Sequence, residues 1–192
     1  MYGSDIRQAH GACGALSCKA MATVAAVFIV LTSPKATRQV EHKIMQISEI
    51  LQPERIVCQP DISSKKRSLE LLSELLADAL PDFAGGEIFD SLIGRERLGS
   101  TGLGKGVALP HGRLSGLKKP IAAMAILKQG TDFDAIDHNP VDLLFALLVP
   151  EESTDEHLQI LAHLAAMFSN QEFCSKLRSC NDSDQCFELV SN

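Results

Sequence analysis

The sequence contains no tryptophan and a single tyrosine, and aromatic residues make up only 5% of its 192 positions. Recognition that stacks bases on aromatic rings has little to work with here. Positive charge is also short, with 18 Lys and Arg against 24 Asp and Glu and a formal net charge of -6. The shortage lies from Met45 onward, where 13 basic residues face 22 acidic ones; residues 1–44 carry five against two. Phosphate backbones are bound chiefly by Lys and Arg, so nucleic acid is excluded as the main partner, whereas a basic protein is not. No C-x-x-C pair occurs among the six cysteines, and Cys174, Cys180 and Cys186, spaced six apart, match no zinc pattern. Cys13, Cys18, Cys58 and these three read as reduced thiols of a cytosolic protein rather than as a disulfide framework. No paired carboxylates or metal-ligand cluster stand out, so neither a metal nor another cofactor is expected.

Long apolar runs are missing at the N-terminus as well. The run at residues 20–31 has twelve residues, too few to span a bilayer as a helix. It has the length of a signal-peptide core, but Asp5, Arg7 and Lys19 make a weak positive region before it and no clean A-x-A site follows. Residues 1–44 are therefore expected to be an N-terminal extension, poorly ordered or upstream of the true start. Residues 45–192, opening "MQISEILQPERIV", are expected to form the functional domain.

What is present suits a packed core. Hydrophobic residues reach 45%, with 13 glycines and 8 prolines as punctuation. Residues 55–58 predict a short strand. Ser63 and Ser64 can cap a helix on which Leu69, Leu72, Leu76 and Leu80 recur at helical spacing before Pro81. Lys65, Lys66 and Arg67 near its start read as a solvated face. "GGEIFDSLIGRE" predicts a second helix with Ile88, Phe89, Leu92 and Ile93 on one side. "IAAMAIL" and "VDLLFALLVP" are continuous apolar runs that suit strands buried on both faces, with "DHNP" as a turn between them. Residues 154–169 predict a helix with Leu158, Leu161, Ala162, Ala165 and Phe168 facing inward, and two short helices close the chain. The pattern predicts an α/β fold, a mixed central sheet flanked by helices in a three-layer sandwich.

Between the second helix and the first long strand lies "GSTGLGKGVALPHGR", residues 99–113. Its glycine density suggests a phosphate cradle. Gly99 through Lys105 fits seven positions of a Walker loop, but the eighth is Gly106, without the hydroxyl that would hold magnesium. A helix precedes the loop and a strand follows it, the reverse of what a nucleotide cradle needs. The alternation of Gly102, Gly104 and Gly106 also fails the dinucleotide pattern.

His111 is the alternative focus. Pro110 restricts the backbone before it and Gly112 permits close approach after it. Ser100 and Thr101 offer hydroxyls, the glycines offer N–H groups, and Arg95 and Arg113 offer positive charge. These groups suit a phosphoryl group carried on a histidine. An unperturbed imidazole, with a pKa of about 6.5, is largely neutral and nucleophilic at pH 7. Positioning and charge stabilisation then supply most of the catalysis.

The stretch "GSTGLGKGVALPHGRL", with "RERLG" before it and "DFDAIDHNPVDLLFALLVP" after it, resembles the IIA component of the bacterial phosphoenolpyruvate phosphotransferase system, mannitol/fructose type. Within that family it is most similar to the nitrogen-regulatory branch, from about Met45 to the C-terminus. The resemblance implies that His111 is phosphorylated, that Arg95 and His157 stand beside it, and that Ser100 and Thr101 contact the phosphoryl group; Gly102, by its N–H, and Arg113, by its charge, are expected to join them from the reading of the loop itself. Lys105 departs from the family pattern, where asparagine is common. His138 reads as a turn residue, His163 as a helix-face residue and Asp137 as a turn former. The resemblance also implies a cytoplasmic histidine phosphocarrier, loaded by an HPr-like phosphocarrier protein. Its regulated targets would resemble potassium-transport or sensor-kinase proteins. The alternative is a sugar-specific IIA that hands phosphate to a separate IIB.

Overall fold

The computed structural model describes residues 46–152 and 155–192, and the expectations for residues 1–44 lie outside the described residues. In chain order the elements are α1 (Ile47–Ile50), a single 3-10 turn (Pro53–Arg55), β1 (Ile56–Cys58), α2 (Lys65–Ala77) and α3 (Gly85–Arg97). There follow β2 (Gly102–Gly104), β3 (Val107–Ala108), β4 (His111–Leu114), β5 (Ile121–Thr131) and β6 (Val141–Pro150). Helices α4 (Asp155–Ser169), α5 (Gln171–Arg178) and α6 (Ser183–Ser191) complete the chain.

The two continuous apolar runs form β5 and β6, an antiparallel pair at the centre of a six-stranded mixed sheet. β1 adds to β5 in parallel, and β3 and β4 both run parallel to β6 along its other side. β2 closes the sheet antiparallel to β3. Strand alternation sorts the apolar residues into two cores. Met124, Ile126, Leu143, Phe145 and Leu147 face α1, α4, α5 and α6. Ala108, Ala123, Ala125 and Ala146 face α2 and α3, which bring Leu69, Leu72, Leu76, Ile88 and Leu92. The small side chains on this second face leave room for helices that supply the bulk themselves. Both faces are buried, hence the unbroken hydrophobicity of these strands. The arrangement is the three-layer α/β sandwich the pattern predicts.

Helix α2 begins as expected, with Ser64 as its N-cap accepting the Arg67 backbone N–H. Two expectations need correction. On α4 the buried residues are His157, Ile160, Leu164 and Phe168, while Leu158 is 64% exposed and Ala162 also faces outward. The buried stripe is rotated by about one residue from the one predicted, because Ile160 and Leu164 rather than Leu158 and Ala162 meet the sheet. Nor is Lys65 part of a solvated face. Its ammonium lies 2.6 Å from a buried Glu96 carboxylate oxygen and 3.0 Å from Asp134, and it donates to the Phe133 carbonyl at 3.1 Å. Its neighbours Lys66 and Arg67 do project into solvent, pairing only with Glu70. Among the described residues no helix is long and apolar enough to cross a membrane.

Candidate functional site

The glycine-rich segment folds as a β-hairpin rather than an open cradle. β2 and β3 are joined by Lys105 and Gly106, both at positive φ (55° and 79°). That two-residue turn matches the right-handed twist of its strands, and its first position favours Asn, Asp or Gly. The asparagine that the resemblance leads one to expect would suit that position, and Lys105 occupies it at some conformational cost. Gly106 is required twice over, since an added Cβ would lie 2.5 Å from the Arg178 guanidinium and 2.8 Å from Asp142. Arg178 clamps this tip, pairing with both Asp142 oxygens at 2.7 Å and donating to the Lys105 carbonyl at 3.0 Å. Asp137 accepts the Lys105 N–H at 2.7 Å from the other side and is a turn former, as expected. His138, exposed at φ 56°, sits in the same turn, and His163 is exposed on α4.

The base of the hairpin is fastened by Glu96. Its buried carboxylate accepts the Thr101 N–H at 3.0 Å and the Thr101 hydroxyl, while Lys65 pairs with it. The Ser100 hydroxyl donates to the Phe133 carbonyl at 2.6 Å and accepts the Gly102 N–H at 3.0 Å. Ser100, Thr101 and Gly102 therefore have their polar groups engaged with structural partners, not turned to His111. For them to ligate a phosphoryl group, these bonds would have to be exchanged for bonds to its oxygens. Sequence reasoning missed Glu96 and Lys65, because a buried ion pair between residues 31 apart leaves no periodic trace.

His111 begins β4 and pairs with Leu147. Its Nδ1 lies 2.9 Å from the Leu109 carbonyl, and its Nε2 lies 3.0 Å from Arg95 Nε. A carbonyl only accepts and a guanidinium only donates, so the proton is on Nδ1 and the lone pair on Nε2. Burial pushes the His111 imidazole below its ordinary pKa; the Leu109 bond opposes this and the Arg95 charge reinforces it. The ring is thus held neutral, in one tautomer, with Nε2 as the nucleophilic atom.

Arg95 stands in the last turn of α3, where its Nη1 also donates to the Gly99 carbonyl at 3.0 Å. The helix comes close because the neighbouring strand residue is Gly112, where an added Cβ would lie 2.3 Å from Ser91 Oγ. Ser91 in turn donates to the Arg113 carbonyl at 2.7 Å. Arg113, two residues after His111 on the same side of the strand, is exposed and donates to the Glu151 carbonyl at 3.3 Å.

His157 arrives from α4, its ring centroid 5.5 Å from that of His111. It is buried, and among the described residues neither ring nitrogen has a hydrogen-bond partner. Burial lowers its pKa first, and His111, Arg113 and Arg95 lower it further. A buried polar group without a partner is costly, which sets this ring apart from His111. Arg95, His111, Arg113 and His157 thus come together from three elements, whereas the hydroxyls of the hairpin do not join them. Among the described residues no group of three or more His, Cys, Asp or Glu could hold a metal ion.

Residues 49–192 match the family described as "Phosphoenolpyruvate-dependent sugar phosphotransferase system, EIIA 2". The chain belongs to this family. This EIIA chain is 45% identical over 147 residues to the nitrogen regulatory protein of Pseudomonas aeruginosa, covering 77% of the chain and 96% of that protein. It is 34% identical over 134 residues to a fructose-specific EIIA component of Haloferax volcanii, covering 70% and 87%. Its fold matches the crystal structure of nitrogen regulatory protein IIA-Ntr from Neisseria meningitidis with a TM-score of 0.71 and 39% identity, covering 75% of this chain and 98% of that one. The chain is a phosphotransferase-system EIIA protein of the nitrogen-regulatory type.

Proposed function

We propose that this EIIA chain is a regulatory phosphocarrier that accepts a phosphoryl group on His111 Nε2 from the phosphohistidine of an HPr-like protein. The observation that carries this reading is the fixed tautomer of His111, with Nδ1 protonated against Leu109 and Nε2 left as the nucleophile. The lone pair attacks phosphorus in line while the donor's P–N bond breaks and its electron pair returns to the donor imidazole. Arg95 now donates to that lone pair, so it must swing aside as phosphorus approaches. Its guanidinium then meets the oxygens of the arriving group, where fixed positive charge is most effective. His157, whose nitrogens have no partner among the described residues, turns the N–H of its neutral ring to a phosphoryl oxygen. Arg113 adds charge at the rim.

Phosphorylation places about -1.5 to -2 charges at this point. Leu98, Leu103, Ile136 and Leu158 are exposed apolar side chains, and Leu98 and Leu158 adjoin Arg95 and His157 in sequence. The charge placed beside them would alter which proteins dock. Regulated targets in this reading resemble potassium-transport or sensor-kinase proteins. The test incubates the protein with enzyme I, the HPr-like carrier and labelled phosphoenolpyruvate. An acid-labile, base-stable label that His111→Ala abolishes supports the reading, and absence of label on the wild-type chain overturns it.

A sugar-specific role is the second reading, favoured by the 34% identity to a fructose-specific EIIA component. Transfer of the label from His111 to an isolated IIB domain would support it; retention of the label favours regulation.

A further inference from the structure

Cys58, the last residue of β1, and Cys186 on α6 are 128 positions apart, yet their sulfurs lie 3.4 Å from each other. Both are free thiols, Cys58 partly exposed and Cys186 buried. Cys180 is a third thiol close enough to bond to Cys186 and to act on Cys58. Cys174, by contrast, donates to the Phe168 carbonyl at 3.1 Å and has no thiol partner among the described residues. We propose that Cys58 and Cys186 are an oxidation site, closing to a disulfide that ties the C-terminal helix to β1 when the protein meets a peroxide.

The order of events follows from access. Peroxide reaches the partly exposed Cys58 first. Its thiolate attacks one oxygen, the O–O bond breaks, and Cys58 becomes a sulfenic acid with release of water. The Cys186 sulfur then attacks the Cys58 sulfur. The S–S bond forms, the S–O bond breaks, and the hydroxyl leaves as water with the proton of Cys186. In sum, two thiols and one peroxide give one disulfide and two waters. The sulfurs need only close from 3.4 Å to the covalent distance of about 2.05 Å, because β1 and α6 are already packed together. Burial holds both thiols above their usual pKa, which slows the first step at neutral pH. The same property makes them poor leaving groups, so the bond, once formed, resists reduction. β5 and β6 stand between β1 and the strand that carries His111, so this chemistry is separate from phosphoryl acceptance.

The test treats the reduced full-length protein with hydrogen peroxide, alkylates the remaining thiols under denaturing conditions and maps tryptic peptides. We expect residues 56–65 joined to residues 179–192, with fragmentation placing the link at Cys186 rather than Cys180. Tm should rise by about 5 to 10 °C on oxidation and fall back on strong reduction. Cys58→Ser should abolish the link and Cys180→Ser should keep it. Should Cys186→Ser fail to fold, the wild-type peptide map decides alone. Full alkylation of Cys58 and Cys186 after peroxide, over-oxidation of Cys58 without linkage, or a link to Cys180 each overturns the proposal.

Discussion

His111 and His157 lie 5.5 Å apart by ring centroid, but they are held in opposite ways. The strand-borne ring has both nitrogens engaged, by Leu109 and Arg95. The helix-borne ring is more deeply buried and has neither nitrogen engaged. Two rings of one chemistry thus have different tasks available to them. A fixed tautomer prepares an atom to attack. An unsatisfied ring is free to take a new partner, and in the proposed function that partner is a phosphoryl oxygen.

Substitutions can break this division of labour. Removing the attacking ring, in His111→Ala, should leave no acid-labile label, read by phosphorylation from labelled phosphoenolpyruvate. Arg95→Ala should slow label uptake about 100-fold, the usual scale for losing a charge-stabilising donor. It should also let the His111 ring exchange tautomers, visible as altered imidazole nitrogen shifts. The receiving ring should matter less: His157→Gln is expected to cost on the order of tenfold in rate, measured by rapid quench, and to leave the His111 tautomer unchanged. Equal losses from His157→Gln and His111→Ala would erase the distinction drawn here.

Protonation gives a finer test. Both rings have folded-state pKa values below the ordinary value of about 6.5. Between that value and the lower folded one the unfolded chain binds more protons, so stability falls as pH drops through this window. Above pH 6.5 the contribution is fully present, and His157→Gln should flatten the decline seen in urea titrations below it. The acceptance rate should fall less between pH 7.5 and 6.5 than the neutral fraction of a free imidazole does, because burial and the Arg95 charge disfavour protonation of His111. Phosphorylation should reverse the shift of His157 alone, raising its pKa in a histidine NMR titration.

Much of this was legible before any coordinates. The strand pair announced itself through unbroken apolar runs, and His111 through the Pro-His-Gly that fixes its backbone. Arg95 and Arg113 are legible from their nearness to the glycine segment and His111, whereas His157 comes only through the resemblance, since residues 111 and 157 share no local spacing. The glycine segment is legible only in part, because sequence shows which hydroxyls are available and not that Glu96 and Phe133 engage them in the free protein. The phase of α4 was missed for a related reason. Leu158 competes with Ile160 for the apolar stripe, and only packing against the sheet chooses between them.

Gly112 holds a further consequence. The absence of a single methyl group there lets the helix carrying Arg95 settle against the strand carrying His111. The gap between two backbones thereby sets how far a guanidinium must reach, so the reactivity of the imidazole is calibrated by a residue that bears no functional group. A chain with alanine at this position could keep every charged and nucleophilic side chain and still run slowly, its parts intact but its spacing lost.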